Sequence, residues 1–355
     1  MDKNYHAKSA SKIENMNWQQ LPENTRLNSL QQISEATGMS RFAVEKDWWV
    51  SRTLDIIFQL DIAKHIVFKG GTSLSKAWGL IDRFSEDIDL AIDQEFFMSP
   101  TNNWSKKERT QLRKIAGKYS TDHFFLDIEK SFIEQGYEGL KFQVIETTES
   151  DKDPRILKIF YPALITQNGN YMEPYVQVEL SCRSLREPFS DRKIESLVDT
   201  HFSGKDFAME SFMVPTVNPE RTFLEKLFLL HEEFHRPVEK RRVDRLSRHL
   251  YDVYQLAQVG INKLAFQDKS LYQTIVAHRH VFSKIAGVDY NMHHPNILNP
   301  IPPRDIIDFW EADYNTMVES MIYEKNPPTF SQLIETLEQL RVQLQQVSWD
   351  FDLTF

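Results

Sequence analysis

The stretch Val67–Asp93, VFKGGTSLSKAWGLIDRFSEDIDLAID, decides how this chain is read. An apolar lead-in (Ile66, Val67, Phe68) runs into Gly70-Gly71-Thr72-Ser73 and then a helical span. Arg83-Phe84-Ser85-Glu86 follows, and Asp87-Ile88-Asp89-Leu90 alternates carboxylates with aliphatics. Side chains at i and i+2 of a strand share a face, so Asp87 and Asp89 are expected to point one way while Ile88 and Leu90 enter the core. Two neighbouring carboxylates repel unless a cation sits between them, and a hard divalent metal such as magnesium, with oxygen ligands, suits that place. The glycine pair permits close approach of backbone to a ligand, and the following helix directs free N–H groups and its positive dipole end at an anion. A phosphate site facing a metal-binding carboxylate pair is the apparatus of phosphoryl or nucleotidyl transfer. The plain alternative is a tight turn and an edge strand with two solvated aspartates. A Walker loop is excluded, because Lys76 follows Ser75 rather than a second glycine.

Gly70-Gly71-Thr72-Ser73, the short helix and Ser85-Glu86-Asp87-Ile88-Asp89-Leu90 together resemble the opening motif of DNA polymerase β-like nucleotidyltransferases. More narrowly, they resemble the AbiEii/AbiGii nucleotidyltransferase toxins of abortive-infection, type IV toxin–antitoxin systems. The segment Glu45-Lys46-Asp47-Trp48-Trp49-Val50 is similar to one that family carries upstream of its glycine motif. Read without the resemblance, it is an amphipathic helix with Trp49 and Val50 in the core and Lys46 solvated, its stem covering apolar surface.

Composition sets bounds. The 355 residues suffice for two domains and a sizeable core. A hydrophobic content of 41% and a charged content of 26% are those of an ordinary globular chain. The single cysteine, Cys182, rules out an internal disulfide and suits a reducing cytoplasm, so a cytoplasmic location is expected. The opening residues MDKNYHAKSASKIENMNW hold no apolar core, so no signal peptide is expected, and no run approaches a membrane span. A net charge of -9 argues against a general nucleic-acid coat; any such substrate must meet a local basic patch.

Along the chain, residues 1–60 read as helical, with Leu27, Leu30, Ile33, Phe42 and Val44 at loose helical spacing and Gly38 as a break. Asn102 to Gly136 reads as one or two amphipathic helices, with Trp104, Leu112, Ile115, Phe124, Phe125, Ile128 and Phe132 apolar. Strand-like runs Lys141–Glu146, Arg155–Tyr161 and Pro174–Ser181 follow, separated by Asp153-Pro154 and Asn168-Gly169-Asn170. In the last run Glu179 sits among β-branched neighbours, either exposed on an antiparallel face or completing a metal site. The resemblance implies the latter, since these enzymes bring a third carboxylate from a later central strand.

From Asn218 the periodicity turns helical, with Asn218 a good N-cap, Pro219 suited to the first position and Phe223, Leu224, Leu227 and Leu230 the buried stripe. Arg221-Thr222-Phe223-Leu224-Glu225-Lys226-Leu227 is similar to a family block whose lysine meets the triphosphate; a surface Glu225/Lys226 pair is the alternative. Arg248-His249-Leu250-Tyr251-Asp252-Val253-Tyr254 resembles the last family motif, whose Asp is required; alternatively Asp252 pairs with Arg248 one turn away. The Lys240–Arg245 run is either a phosphate-binding patch or a solvated loop. Residues 271–355 read as mainly helical, broken at Pro295–Pro303 and Asn326-Pro327-Pro328, with a clear amphipathic helix over Phe330–Val347. His231-Glu232-Glu233-Phe234-His235 satisfies the His-Glu-x-x-His zinc pattern, with His249, His293 or His294 as third-ligand candidates. Arg236-Pro237 stops that helix at once, and histidines near a helix C-terminus have a dipole reason to be there.

The expected fold is therefore α+β: a nucleotidyltransferase-like mixed sheet flanked by helices, with a C-terminal helical domain. The expected segments are 1–60 (helices packing on the core), 61–217 (nucleotidyltransferase core) and 218–355 (helices contributing to the cleft). The resemblance implies an NTP- and magnesium-dependent nucleotidyltransferase with Asp87, Asp89, Lys226 and Asp252 catalytic. Asp87, Asp89 and Glu179 would hold the metal, and Gly70, Gly71, Thr72, Ser73 and Lys226 the triphosphate. It implies an acceptor such as a tRNA 3′ end and an antitoxin encoded alongside. The alternatives are a zinc hydrolase and a nucleotide-binding module without catalysis.

Overall fold

The computed structural model describes residues 17–85, 87–99, 104–165 and 173–355. Glu86, Asn102, the Asn168-Gly169-Asn170 turn and the first sixteen positions of the expected N-terminal segment lie outside them. Helices α1 (Glu23–Thr37) and α2 (Arg41–Gln59) come first, divided at Gly38, whose φ of 78° caps α1 in the left-handed conformation. Strand β1 (Ile66–Lys69) leads into the short α3 (Gly70–Lys76), and β2 (Asp87–Ile92) follows. Next come α4 (Lys106–Tyr119), a π turn over Ser120–Phe124, and α5 (Phe125–Glu134). Leu112, Phe124, Phe125, Ile128 and Phe132 are buried as the periodicity requires, whereas Ile115 is exposed because the buried stripe of α4 runs through Leu112 and Ala116.

Strands β3 (Lys141–Val144), β4 (Arg155–Phe160) and β5 (Tyr175–Ser181) fall within the three expected runs. Two further strands, β6 (Phe189–Ile194) and β7 (Phe212–Val217), bracket the short α6 (Leu197–His201). Neither was evident: β6 is largely half-exposed, and β7 carries Pro215, which ordinarily argues against a paired strand. Here Pro215 faces Asp191 of β6, and β1 meets β7 through Phe68 and Thr216. The sheet order is β3-β4-β5-β2-β1-β7-β6. It is mixed: β2 runs antiparallel to β1 and parallel to β5, which puts the Asp-Ile-Asp strand at its centre. Ile88 and Leu90 are buried, as the alternation of β2 predicts.

One face of the sheet is covered by α2, which is buried along almost its whole length. Trp18, Trp48, Trp49 and Tyr161 build an aromatic cluster there, with Trp49 stacked on Tyr161 at 5.3 Å. The charged triplet on α2 is buried or half-buried, and each member fastens a different part of the chain. Glu45 accepts from the amides of Leu164 (2.8 Å) and Ile165 (3.2 Å). Lys46, far from solvated, is buried and donates to the carbonyl of Glu173 at 2.9 Å. Asp47 pairs with Lys76 of α3 and accepts from the amide of Leu197 at 2.8 Å.

The remaining helices are α7 (Pro219–Phe234), α8 (Ser247–Gln258), α9 (Ile261–Gln267), α10 (Lys269–Phe282), α11 (Ile307–Ser320) and α12 (Phe330–Leu344). They enclose a second buried cluster that also takes in Leu74 and Ile81 from between β1 and β2. Helix α7 is its axis, touching α8, α9 and α10, and it is buried nearly all round. Pro219 stands at the first helical position, as expected. Asn218 does not cap the helix with its side chain; its Oδ1 instead accepts from Ser190 on β6 at 2.8 Å. The halves are stitched by backbone: Phe84 N to Met321 O (2.7 Å) and Tyr323 N to Asp82 O (3.1 Å). No helix among the described residues is long and apolar enough to cross a membrane.

Burial lifts the Glu45 carboxyl to about 7, against the opposing pull of its two amide donors and Arg26. A folded-state value above the unfolded one means that the protonated group's stabilisation is complete below the unfolded pKa and is lost as pH rises through about 7. Glu45→Gln should therefore gain relative to wild type between pH 5 and pH 8 (bench conditions) in urea-unfolding midpoints; identical pH profiles would contradict this.

Candidate active site

The site begins where β1 ends. Lys69 lies opposite Asp89 in the antiparallel register, and the next residue, Gly70, turns the chain with φ 81°. A Cβ on Gly70 would stand 2.0 Å from Asp89 Oδ2, so only glycine lets the backbone lie against that carboxylate. Gly71 is equally confined: its Cβ would meet Arg83 Nη2 at 2.6 Å and Ser85 Oγ at 2.8 Å. Thr72 and Ser73 are buried beneath the turn. Thr72 Oγ1 donates to the Asp87 carbonyl at 2.6 Å, and Ser73 Oγ to the Gly70 carbonyl at 2.9 Å. Their hydroxyls thus hold the turn against β2, while Lys69, Gly70, Gly71 and Ser85 line the adjoining cavity.

That cavity encloses about 460 Å³. On its sheet side lie Asp87, Asp89 and Glu179. The parallel β2–β5 register sets Glu179 directly beside Asp89, and Gln177 beside Asp87. Burial, then Asp89 and Asp87, push the Glu179 carboxyl up to about 7, although Lys69 and a 2.8 Å hydrogen bond from Gln177 oppose them. Repulsion among anions is what a bound cation would relieve. As they stand, no group of three or more His, Cys, Asp or Glu side chains among the described residues is arranged to hold a metal ion.

Cations line the same cavity: Lys69, beside Asp89 in the sheet, and Arg183, Lys226, Arg242, Arg248 and Arg279. Lys226, on α7, is fixed by Asp252 of α8: Nζ to Oδ2 is 2.8 Å. Arg83, from the segment before β2, grips the same carboxylate in bidentate fashion, Nε to Oδ1 and Nη2 to Oδ2 both at 2.7 Å. All three side chains are buried. Burial raises the Asp252 carboxyl, but Arg83 and Lys226 more than reverse this and hold it well below the usual carboxylate range. Burial lowers the Lys226 ammonium, with Asp252 opposing and Arg83 and Arg248 adding to it. His249, 3.5 Å from Lys226, is held far below its ordinary value by burial and then by Lys226 and Arg248.

The two alternatives for these blocks thus resolve structurally. Glu225 binds Arg221, with Nε and Nη2 both 3.0 Å from Oε1, rather than Lys226. Asp252 takes Arg83 and Lys226, while Arg248 turns into the cavity. Within the basic run, Arg242 reaches the cavity and bonds Glu233, at 2.7 Å from Oε2, whereas Lys240 is exposed. The His-Glu-x-x-His motif is spent on packing. Glu232 accepts from Arg279 Nε at 2.7 Å and faces His293 Nε2 at 3.1 Å, which leaves it no freedom as a general base. His231 Nδ1 accepts from the Asn299 amide at 3.0 Å, and His235 lies over His231 at 4.1 Å between ring centres.

Residues 52–336 match the family described as "Nucleotidyl transferase AbiEii toxin, Type IV TA system". The match runs through the glycine turn, the carboxylates, Lys226 and Asp252, over most of the chain. The chain belongs to that family. It is thus a nucleotidyltransferase of the AbiEii toxin class. Among solved structures it resembles the nucleotidyltransferase toxin MenT4 of Mycobacterium tuberculosis, at 17% identity and a TM-score of 0.43 over 92% of this chain and 100% of that one. It also resembles JHP933 of Helicobacter pylori, at 14% identity and a TM-score of 0.41 over 87% and 94%. No curated protein matches the chain.

Removing the carboxylate from the Arg83–Asp252–Lys226 triad strands two buried cations. Asp252→Ala should cost about 3–5 kcal/mol in urea denaturation, the range for breaking a buried pair on one side only. A loss below about 1 kcal/mol, the value of an exposed ion pair, would contradict this account of the triad.

Proposed function

We propose that this protein transfers a nucleoside monophosphate from an NTP to the 3′ hydroxyl of an RNA, such as a tRNA end, with magnesium as cofactor. The observation that supports this best is one cavity lined both by carboxylates from two adjacent strands and by a bank of Lys and Arg. An NTP complexed with a divalent ion has the complementary charge pattern, with the metal against the acids and the phosphates against the bases.

The side chains present fit the metal. Magnesium takes few protein oxygens, commonly one or two carboxylates plus substrate phosphates, so Asp87 and Asp89 with Glu179 alongside suffice without a closed protein cage. When bound, such an ion supplies Lewis-acid charge to the phosphoryl oxygens and to the departing pyrophosphate. The protein's own groups do the rest. Gly70 and Gly71 let the backbone approach the triphosphate, with Thr72 and Ser73 holding the turn that presents them. Lys226 supplies a point charge to the phosphates, and Asp252 aims it. The type IV family also points to an antitoxin as partner.

Gly70→Ala should fold yet displace Asp89 and abolish magnesium-dependent NTP binding, as read by calorimetry. Incubation with labelled NTPs and total RNA tests the reaction itself. Asp87→Ala should cut label transfer by about 10²-fold or more, the scale on which one electrostatic group in a dry site counts. Transfer at the wild-type rate would overturn the proposal.

A further inference from the structure

A second hollow of about 770 Å³ opens beside the first and shares Arg183, Leu229, Arg242, Arg279 and Ser283 with it, so the two adjoin. Its outer part is lined from elements far apart in sequence. Lys106 and Arg109 come from α4, Lys152 from the β3–β4 loop, Arg236 from just after α7 and Lys284 from just after α10. The lining holds nine Lys and Arg against five Asp and Glu, on a chain whose net charge is -9. Most of the acids are already matched: Asp151 by Arg113, Asp153 by Arg183, Glu232 by Arg279 and Glu233 by Arg236 and Arg242. Lys106, Lys152 and Lys284 are exposed and pair with no carboxylate among the described residues.

We infer that this hollow is the track by which a single-stranded nucleic-acid end reaches the carboxylates. A basic strip on an acidic chain attracts a polyanion locally and repels it elsewhere. Lysines on three separate elements suit phosphates spaced along a strand, and backbone charge is read without regard to sequence. The strip adjoins the catalytic cavity, so a chain lying on it can bring its end inside. A frayed or overhanging end, unlike a closed duplex, leaves its terminal base unstacked and free to enter. An acidic polypeptide would match the charge but offers no terminal hydroxyl beside a planar base. The inference rests on the nucleotidyl-transfer reading and adds the acceptor's route to it.

The test uses the full chain and a fluorescent twelve-nucleotide RNA with a single-stranded 3′ end (the probe), titrated by anisotropy at several salt concentrations. Lys106→Glu, Lys152→Glu and Lys284→Glu together should weaken binding about tenfold or more and flatten the salt slope by about 2, roughly 0.7 for each phosphate that a lysine no longer neutralises. Calorimetric NTP affinity should stay unchanged, since none of the three lines the catalytic cavity. RNA binding by the triple variant as tight and as salt-dependent as wild type overturns the track. So does polyglutamate competing as well as RNA of equal charge. Wild-type protein that binds the RNA but no NTP would instead sink the transfer reading, leaving the strip as an RNA-binding surface.

Discussion

The site depends on one buried carboxylate. Asp252 is held by Arg83, which comes from the sheet's side of the molecule, and by Lys226, which comes from the axis of the helical half. Unit charges about 3 Å apart attract by about 5 kcal/mol at an effective dielectric of about 20, a gross figure set against several kcal/mol for desolvating each ion. The net stabilisation is thus modest, but the positional consequence is large. The clamp fixes the segment ahead of β2 against α7 and α8, and with it the placing of Lys226 relative to the β2 carboxylates. One positive charge is left over in the triad, facing the cavity through Lys226.

Around that clamp, charges of both signs are gathered into one cavity. Acids from β2 and β5 stand together, and burial followed by their mutual repulsion raises the Glu179 carboxyl. Lys69 of β1 lies beside Asp89, and cations from α7, α8 and α10 line the cavity as well. Such a concentration of charge inside a cavity costs stability and is useful where a ligand carries both signs. A metal–triphosphate is such a ligand. The glycine turn belongs to the same logic, because any Cβ at Gly70 would push Asp89 aside.

Much of this was legible because short-range chemistry announces itself. Strand alternation places Asp87 with Asp89 and buries Ile88 with Leu90, and the glycine pair marks the turn. The family match agrees with the resemblance those residues carry. Long-range pairing was not legible. Arg83 reads as one more charged residue until Asp252, far along the chain, is seen to grip it. Lys69, Arg183 and Arg279 give no local hint that they share a cavity. Glu45, Lys46 and Asp47 look like a functional triplet and are structural, each pinning a separate segment to α2. The His-Glu-x-x-His pattern misleads for the converse reason: its spacing is local, whereas the partner that occupies Glu232, Arg279, lies on another helix. Strands β6 and β7 were hidden by Pro215 and by an exposed β6 face.

The central claim is that the Asp87–Asp89 side and the Lys226 side act together on one metal–nucleotide. Calorimetric titration of each NTP into wild-type protein, Asp89→Asn and Lys226→Met, with magnesium and with chelator, tests it most directly. The account predicts tight binding of at least one NTP by wild type with magnesium, and loss of that binding on chelation or in either variant. Binding of equal strength without magnesium, or in Asp89→Asn, would contradict it.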